Sequence, residues 1–237
     1  GETANGAFPD TAVRIMSAIA ENAELGIDYY SQFCFIRFWN YHTGVISPLE
    51  ATLASAAKSA VEFSEDLDGN GVIDADEGAL IFVVTKTGKA ANLISKYRPT
   101  GLIVVVTDSE EVARGCNSWC GQYPYLVKSL DTDVHGNSMS KEQLISQAVV
   151  WGADKGFVVQ GKKLVYVTGP ATVAADEHAL VAVDASLPSQ TIFRHKSQMV
   201  DPGKLNYIKS LVTTKISKPL LAKPAVHIRS TKIICTM

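Results

Sequence analysis

The sequence predicts an α/β fold, a layered domain with a mostly parallel five-stranded sheet flanked by helices. Two observations carry this. Short apolar runs rich in β-branched residues recur at 80–85, 102–107, 125–128, 164–168 and 179–183, with amphipathic segments between them at 89–97, 110–119 and 140–151. Strands alternating with helices in this way form a layered sheet, because each helix must bury its apolar stripe against the sheet its neighbours build. The densest instance is 81–107, IFVVTKTGKAANLISKYRPTGLIVVVT, where two apolar runs bracket one amphipathic helix.

The remaining elements come in chain order. Pro9 fixes φ for the first turn of a helix over 11–20, and the spacing of Val13, Met16 and Ile19 predicts one buried stripe on it. Residues 29–45 are rich in aromatics without a clear period and read as a loop or hairpin. Ser47, Pro48 and Glu50 then supply an N-cap, a first-turn proline and an early carboxylate, and Leu53, Ala56, Ala57, Ala60, Val61 and Phe63 carry a second helix. After Asp184 the pattern weakens, and 186–230 reads as a linker with a short helix near 205–211.

Composition narrows the function classes. A chain of 237 residues with 46% apolar content can bury a full core. No run approaches the roughly twenty apolar residues needed to cross a bilayer, so no membrane partner is expected and the default address is cytoplasmic. Cys34, Cys116, Cys120 and Cys235 are too few and scattered for a disulfide framework, and no His or Cys pair accompanies them at zinc-ligand spacing. The net charge of −2 hides an asymmetry: residues 1–186 hold 13 Lys and Arg against 23 Asp and Glu, whereas 187–237 hold 9 against 1. That basic tail lacks the interleaved aromatics of a base-stacking platform, so nucleic acid is not expected as a partner. His42, His135, His178, His195 and His227 stand singly, and no nucleophile-base pairing emerges; no catalytic residue is assigned.

Two segments carry site chemistry. Thr85, Lys86, Thr87, Gly88 and Lys89 form the turn between the first strand and its helix, where free backbone N–H groups, hydroxyls and two ammonium groups converge, an arrangement suited to a phosphate or other anion. A plainer reading of the same residues is that Thr87 caps the helix and Gly88 serves the tight turn. The second segment is 66–77, DLDGNGVIDADE, which has the spacing of an EF-hand loop. Asp66, Asp68 and Asn70 offer side-chain oxygens at loop positions 1, 3 and 5, and Gly71 allows the sharp turn at position 6. Val72 offers its carbonyl, Asp74 acts through water and Glu77 is the bidentate ligand, which together suit Ca²⁺. The loop is single, and residues 78–84 after it read as a strand, not as the second helix of an EF-hand. Its plainer reading is a solvated acidic turn.

The strand, the Thr-Lys-Thr-Gly turn, the helix ending in Tyr97-Arg98-Pro99 and the second strand resemble, in this order, the C-terminal domain of the pyruvate kinase family. Gly1-Glu2-Thr3-Ala4-Asn5-Gly6-Ala7-Phe8-Pro9 is similar to the motif that leads into the last helix of that family's catalytic barrel, and Arg229-Ser230-Thr231-Lys232-Ile233-Ile234-Cys235-Thr236 is similar to the segment that opens its first barrel strand. The resemblance implies three regions: 1–45 as the end of the barrel and its connection, 46–186 as the C-terminal α/β domain with the EF-hand-like insertion at 66–77, and 187–237 as a basic linker leading to a barrel-strand-like segment. It also implies a fragment of a tandem or permuted polypeptide.

What the resemblance implies for function is a regulatory and oligomerisation domain, inactive alone, of an enzyme that moves a phosphoryl group from phosphoenolpyruvate to ADP. Mg²⁺ and K⁺ would serve the complete enzyme and not this fragment. The implied partners are the catalytic barrel of the same polypeptide and further copies of the chain, a tetramer in the family. In the family the Thr-Lys-Ser/Thr-Gly turn grips a phosphate of a sugar bisphosphate, which makes 85–89 the expected effector site. Two departures count against a bisphosphate here: Ala90 replaces the last hydroxyl of the motif, and the loop after Gly169 carries Asp176 and Glu177, which would repel it. The competing reading is a calcium-binding regulatory or interaction module that retains only the kinase domain fold.

Overall fold

A computed structural model of the chain describes residues 6–63, 78–158, 162–169, 176, 179–183 and 231–232. The loop 66–77, the segment after 183 apart from Thr231 and Lys232, and the short helix expected near 205–211 lie outside the described residues. Helices α1 (Pro9–Leu25), α2 (Tyr29–Thr43) and α3 (Pro48–Glu62) come first. The sheet elements then alternate: β1 (Leu80–Val84), α4 (Lys89–Lys96), β2 (Ile103–Thr107), α5 (Glu110–Gly115) with a 3₁₀ turn (Cys116–Ser118), β3 (Gln122–Leu126), α6 (Lys141–Asp154), β4 (Leu164–Thr168) and β5 (Leu180–Val183).

The five strands stand in the order β3-β2-β1-β4-β5. β1 pairs in parallel with β2 and β4, β2 in parallel with β3, and β5 runs antiparallel to β4. β1 is therefore central and every residue of it is buried. Alternation along the strands divides their side chains between two cores. Ile81, Val83, Ile103, Val105, Val165 and Val167 face α3 and α4, together with Phe33 of α2 and Tyr97. Leu80, Phe82, Val84, Val104, Val106 and Leu164 face α6 through Leu144, Ile145 and Ala148. The small side chains Ala54, Ala56, Ala57 and Ala60, each within 1% of complete burial, let α3 lie close against its neighbours. The segments leading into β1 and β2 cross as closely: a Cβ on Gly101 would stand 1.9 Å from the carbonyl oxygen of Ala79, so only glycine fits there.

Most expected elements stand where the sequence places them, and three readings are corrected. Residues 29–45 are neither loop nor hairpin. Asp28 caps a helix there, its carboxylate accepting from the Ser31 N–H at 3.1 Å and hydroxyl at 3.0 Å. Phe33 and Tyr29 of that helix are buried while Trp39 and Tyr41 are exposed, so aromatics on both sides hide its period. The third strand begins at Gln122, earlier than expected, because Pro124 sits within it opposite Val105. Among the described strands β3 is at the sheet edge, where a missing N–H is tolerated. On α1, Met16 and Ile19 are more than half exposed, so the expected buried stripe has no covering partner among the described residues.

Two polar ties hold helices to the body. Glu50, in the first turn of α3, accepts from the Lys96 ammonium at 2.7 Å and the Tyr97 hydroxyl at 2.9 Å. At the end of α1 the buried Glu24 accepts the backbone N–H of Thr231, and the ammonium of Lys232 lies 3.9 Å from the Tyr123 ring centre.

Glu50 makes stability depend on pH. Burial raises its pKa, but the bonds from Lys96 and Tyr97 outweigh that and hold the carboxyl below its ordinary 4.5. A carboxyl depressed in the folded state stabilises above its unfolded pKa, and the contribution fades as pH falls through the folded one. Glu50→Ala should cost about 1–3 kcal/mol at neutral pH, since it strands the buried Tyr97 hydroxyl. The loss should shrink in acid below pH 4.5, as measured by denaturant unfolding at two pH values.

Candidate functional site

The parallel strands β1, β2, β3 and β4 all end at the same side of the sheet, so the segments after them are brought together there. At the centre, β1 ends at Val84 and the chain turns through 85–88 into α4. The turn needs Gly88, which is the N-cap of α4 with φ +77°. That left-handed conformation is strained for any residue with a Cβ, and a Cβ here would also stand 3.1 Å from Val112. Thr87 does not cap α4, since the N-cap offers no side-chain bond. Its hydroxyl oxygen accepts instead from the N–H of Lys89 at 3.3 Å. The buried Thr85 hydroxyl oxygen accepts the N–H of Gly88 at 2.9 Å.

The anion in this turn is the chain's own. Asp176, on the connection from β4 to β5, is 7% exposed and places its carboxylate among the donors. Oδ1 accepts the Thr85 hydroxyl at 2.5 Å and the N–H of Ala90 at 3.1 Å. Oδ2 accepts the N–H groups of Lys86 at 2.8 Å and Thr87 at 3.1 Å. Burial opposes the charge of this carboxylate, but the Thr85 hydroxyl and the three amides outweigh burial, and its pKa is lowered.

The cations around the turn are partly engaged. Lys86 Nζ lies 3.6 Å from Asp131, which also accepts from the buried Lys141 at 3.1 Å. Lys141 in turn donates to the Leu130 carbonyl at 3.1 Å, which fixes the segment after β3 beside the turn. Bonded by Lys141 first of all, the Asp131 carboxyl is held below the ordinary range. The exposed Lys89 faces an open groove shared with Thr87, Asn92, Leu93, Lys96 and Trp119. Of the turn residues, Thr85, Lys86 and Thr87 meet the Asp176 carboxylate together with Ala90, whereas the Gly88 N–H goes to the Thr85 hydroxyl and the Lys89 N–H to that of Thr87.

Sequence reasoning treated Asp176 as a repelling charge and did not seat it in the turn. The available signal was topological: the segments after two adjacent parallel strands meet, so an acidic residue after β4 reaches the N–H groups after β1. Asp66, Asp68, Asn70, Val72, Asp74 and Glu77 lie outside the described residues; Gly78 leads directly into β1. Among the described residues no three His, Cys, Asp or Glu side chains converge as a metal site, and no helix is long and apolar enough to cross a membrane. Cys116 is buried, and burial pushes its thiol up to about 11, which makes it a poor nucleophile.

Comparisons with known proteins agree with this architecture. The pyruvate kinase of Clostridium acetobutylicum is 32% identical over 172 residues, covering 73% of this chain and 31% of that protein. The pyruvate kinase of Eimeria tenella is 31% identical over 172 residues, 71% of this chain and 28% of that protein. Among solved structures, a pyruvate kinase from Cryptosporidium parvum superposes with a TM-score of 0.60 at 29% identity, covering 77% of this chain and 31% of that one. The chain spans about a third of the length of the curated relatives it matches. Residues 54–183, more than half of the chain, match the family described as "Pyruvate kinase, alpha/beta domain". With the strand order, the turn after β1 and these matches in agreement, the chain belongs to the pyruvate kinase alpha/beta domain family.

Proposed function

We propose that this chain is the regulatory and oligomerisation domain of a cytoplasmic pyruvate kinase, and that it is inactive alone. The observation that carries the reading is the family match over 54–183, which contains the anion cradle at the carboxyl end of β1. Moving a phosphoryl group from phosphoenolpyruvate to ADP takes Mg²⁺ held by carboxylates, with cations aimed at the group in flight. Those residues, and the Mg²⁺ and K⁺ that serve them, belong on this proposal to a catalytic barrel in the same polypeptide. Further copies of the chain are the other proposed partners. The turn 85–89 is the proposed anion site, and Asp176 fills its donors.

The purified chain, incubated with phosphoenolpyruvate, ADP, Mg²⁺ and K⁺, should form no pyruvate above background. The full-length protein should turn over under the same conditions. Turnover by the chain alone would contradict the division of labour, and an inactive full-length protein would favour a module that keeps only the fold.

The loop 66–77 is the proposed Ca²⁺ site, with Asp66, Asp68, Asn70, Val72, Asp74 and Glu77 as ligands. Its four carboxylates repel one another without a cation, and a bound dication would cancel that repulsion between α3 and β1. By mass action Ca²⁺ at about one hundred times its dissociation constant stabilises by about 2.7 kcal/mol. Millimolar Ca²⁺ should raise the melting temperature, and Glu77→Gln should remove most of the rise. An unchanged wild type, or an equal rise in the variant, would leave only an acidic turn.

A further inference from the structure

We propose that Asp176 is the resident anion of the Thr85–Ala90 cradle, a tethered carboxylate that stands where a phosphate group would bind and keeps external phosphate esters out. The inference rests on reading that turn as an anion cradle, and it adds what occupies it. Each carboxylate oxygen takes two donors, and the four are the backbone amides and hydroxyl that a phosphate would need. At 7% exposure the group is enclosed, so a phosphate can enter only when Asp176 leaves.

The competition favours the carboxylate. Asp176 lies in the chain between β4 and β5, and β4 pairs directly with the strand that carries the turn. A ligand tethered so closely acts at an effective concentration in the millimolar range or above, which a free ester must exceed. Lys86, the cation that would add affinity for a phosphate, is held beside Asp131. Ala90 has no hydroxyl to offer a further phosphate oxygen, and its N–H is taken by Asp176. The turn is therefore held closed by the protein's own charge, and a phosphate ester must displace Asp176 to reach its donors.

The test compares wild type, Asp176→Ala and Asp176→Asn by thermal unfolding while inorganic phosphate is titrated at constant ionic strength. The wild type should show no saturable response. Asp176→Ala should melt about 5–10 °C lower, since the donors lose a charged partner. Phosphate should restore much of that loss saturably, and adding Thr85→Val should abolish the restoration. If Asp176→Ala does not fold without phosphate, Asp176→Asn, of nearly equal volume, carries the comparison. Equal responses in wild type and variants would overturn the exclusion by Asp176 while leaving the cradle an anion site. No response in any variant would overturn both the resident-anion inference and the anion reading on which it rests.

Discussion

Where β1 gives way to α4, the backbone presents N–H groups that no helical carbonyl can accept, because the first turn of a helix leaves its donors without intrahelical partners. In a partly buried turn such donors need an acceptor, and positive potential from the helix end makes an anion a good one. The Asp176 carboxylate meets that requirement with both oxygens, at distances from 2.5 to 3.1 Å. Because it does so, the end of the central strand and the start of α4 are tied to Asp176. The same contacts lower the pKa of Asp176 against the pull of burial, so the group is charged at neutral pH and its hydrogen bonds are charge-assisted.

A second set of carboxylates extends the arrangement outward. Asp131 stands between Lys86 on the turn and the buried Lys141 at the start of α6, so the far face of the sheet is tied to the site. Glu50 performs the corresponding role at the other end of α4, where Lys96 and Tyr97 join it to the first turn of α3. α4 is thus held at its amino end by Asp176 and at its carboxyl end by Glu50. A change at either end has a short physical route to the other through a helix only eight residues long.

The strands were legible because residues buried on both faces leave unbroken apolar runs such as LIFVV and IVVVT. The Ser47 cap was legible too, its hydroxyl accepting the N–H of Glu50, whereas the reciprocal capping box of Ser140 and Gln143 was not read from the sequence. The aromatic helix α2 was not, because side chains that pack against Tyr97 and side chains left exposed are equally apolar in the sequence. The turn residues 85–89 could be found as a local motif. Their occupant could not be found from local pattern, because Asp176 lies 90 residues from Lys86 along the chain and meets it only through sheet order. Helix capping by Thr87 was a sound local expectation, overtaken by the Thr85 hydroxyl that bridges Gly88 and Asp176.

Amide hydrogen exchange of the isolated chain in phosphate-free and sulfate-free buffer tests the central claim most directly. The N–H groups of Lys86, Thr87 and Ala90 precede any helical acceptor, and among the described residues the Asp176 carboxylate is the acceptor that protects them when no external anion is present. The account predicts that all three exchange slowly in the wild type and rapidly in Asp176→Asn, with the amides of β2 unchanged. Rapid exchange of these three amides in the wild type would contradict it.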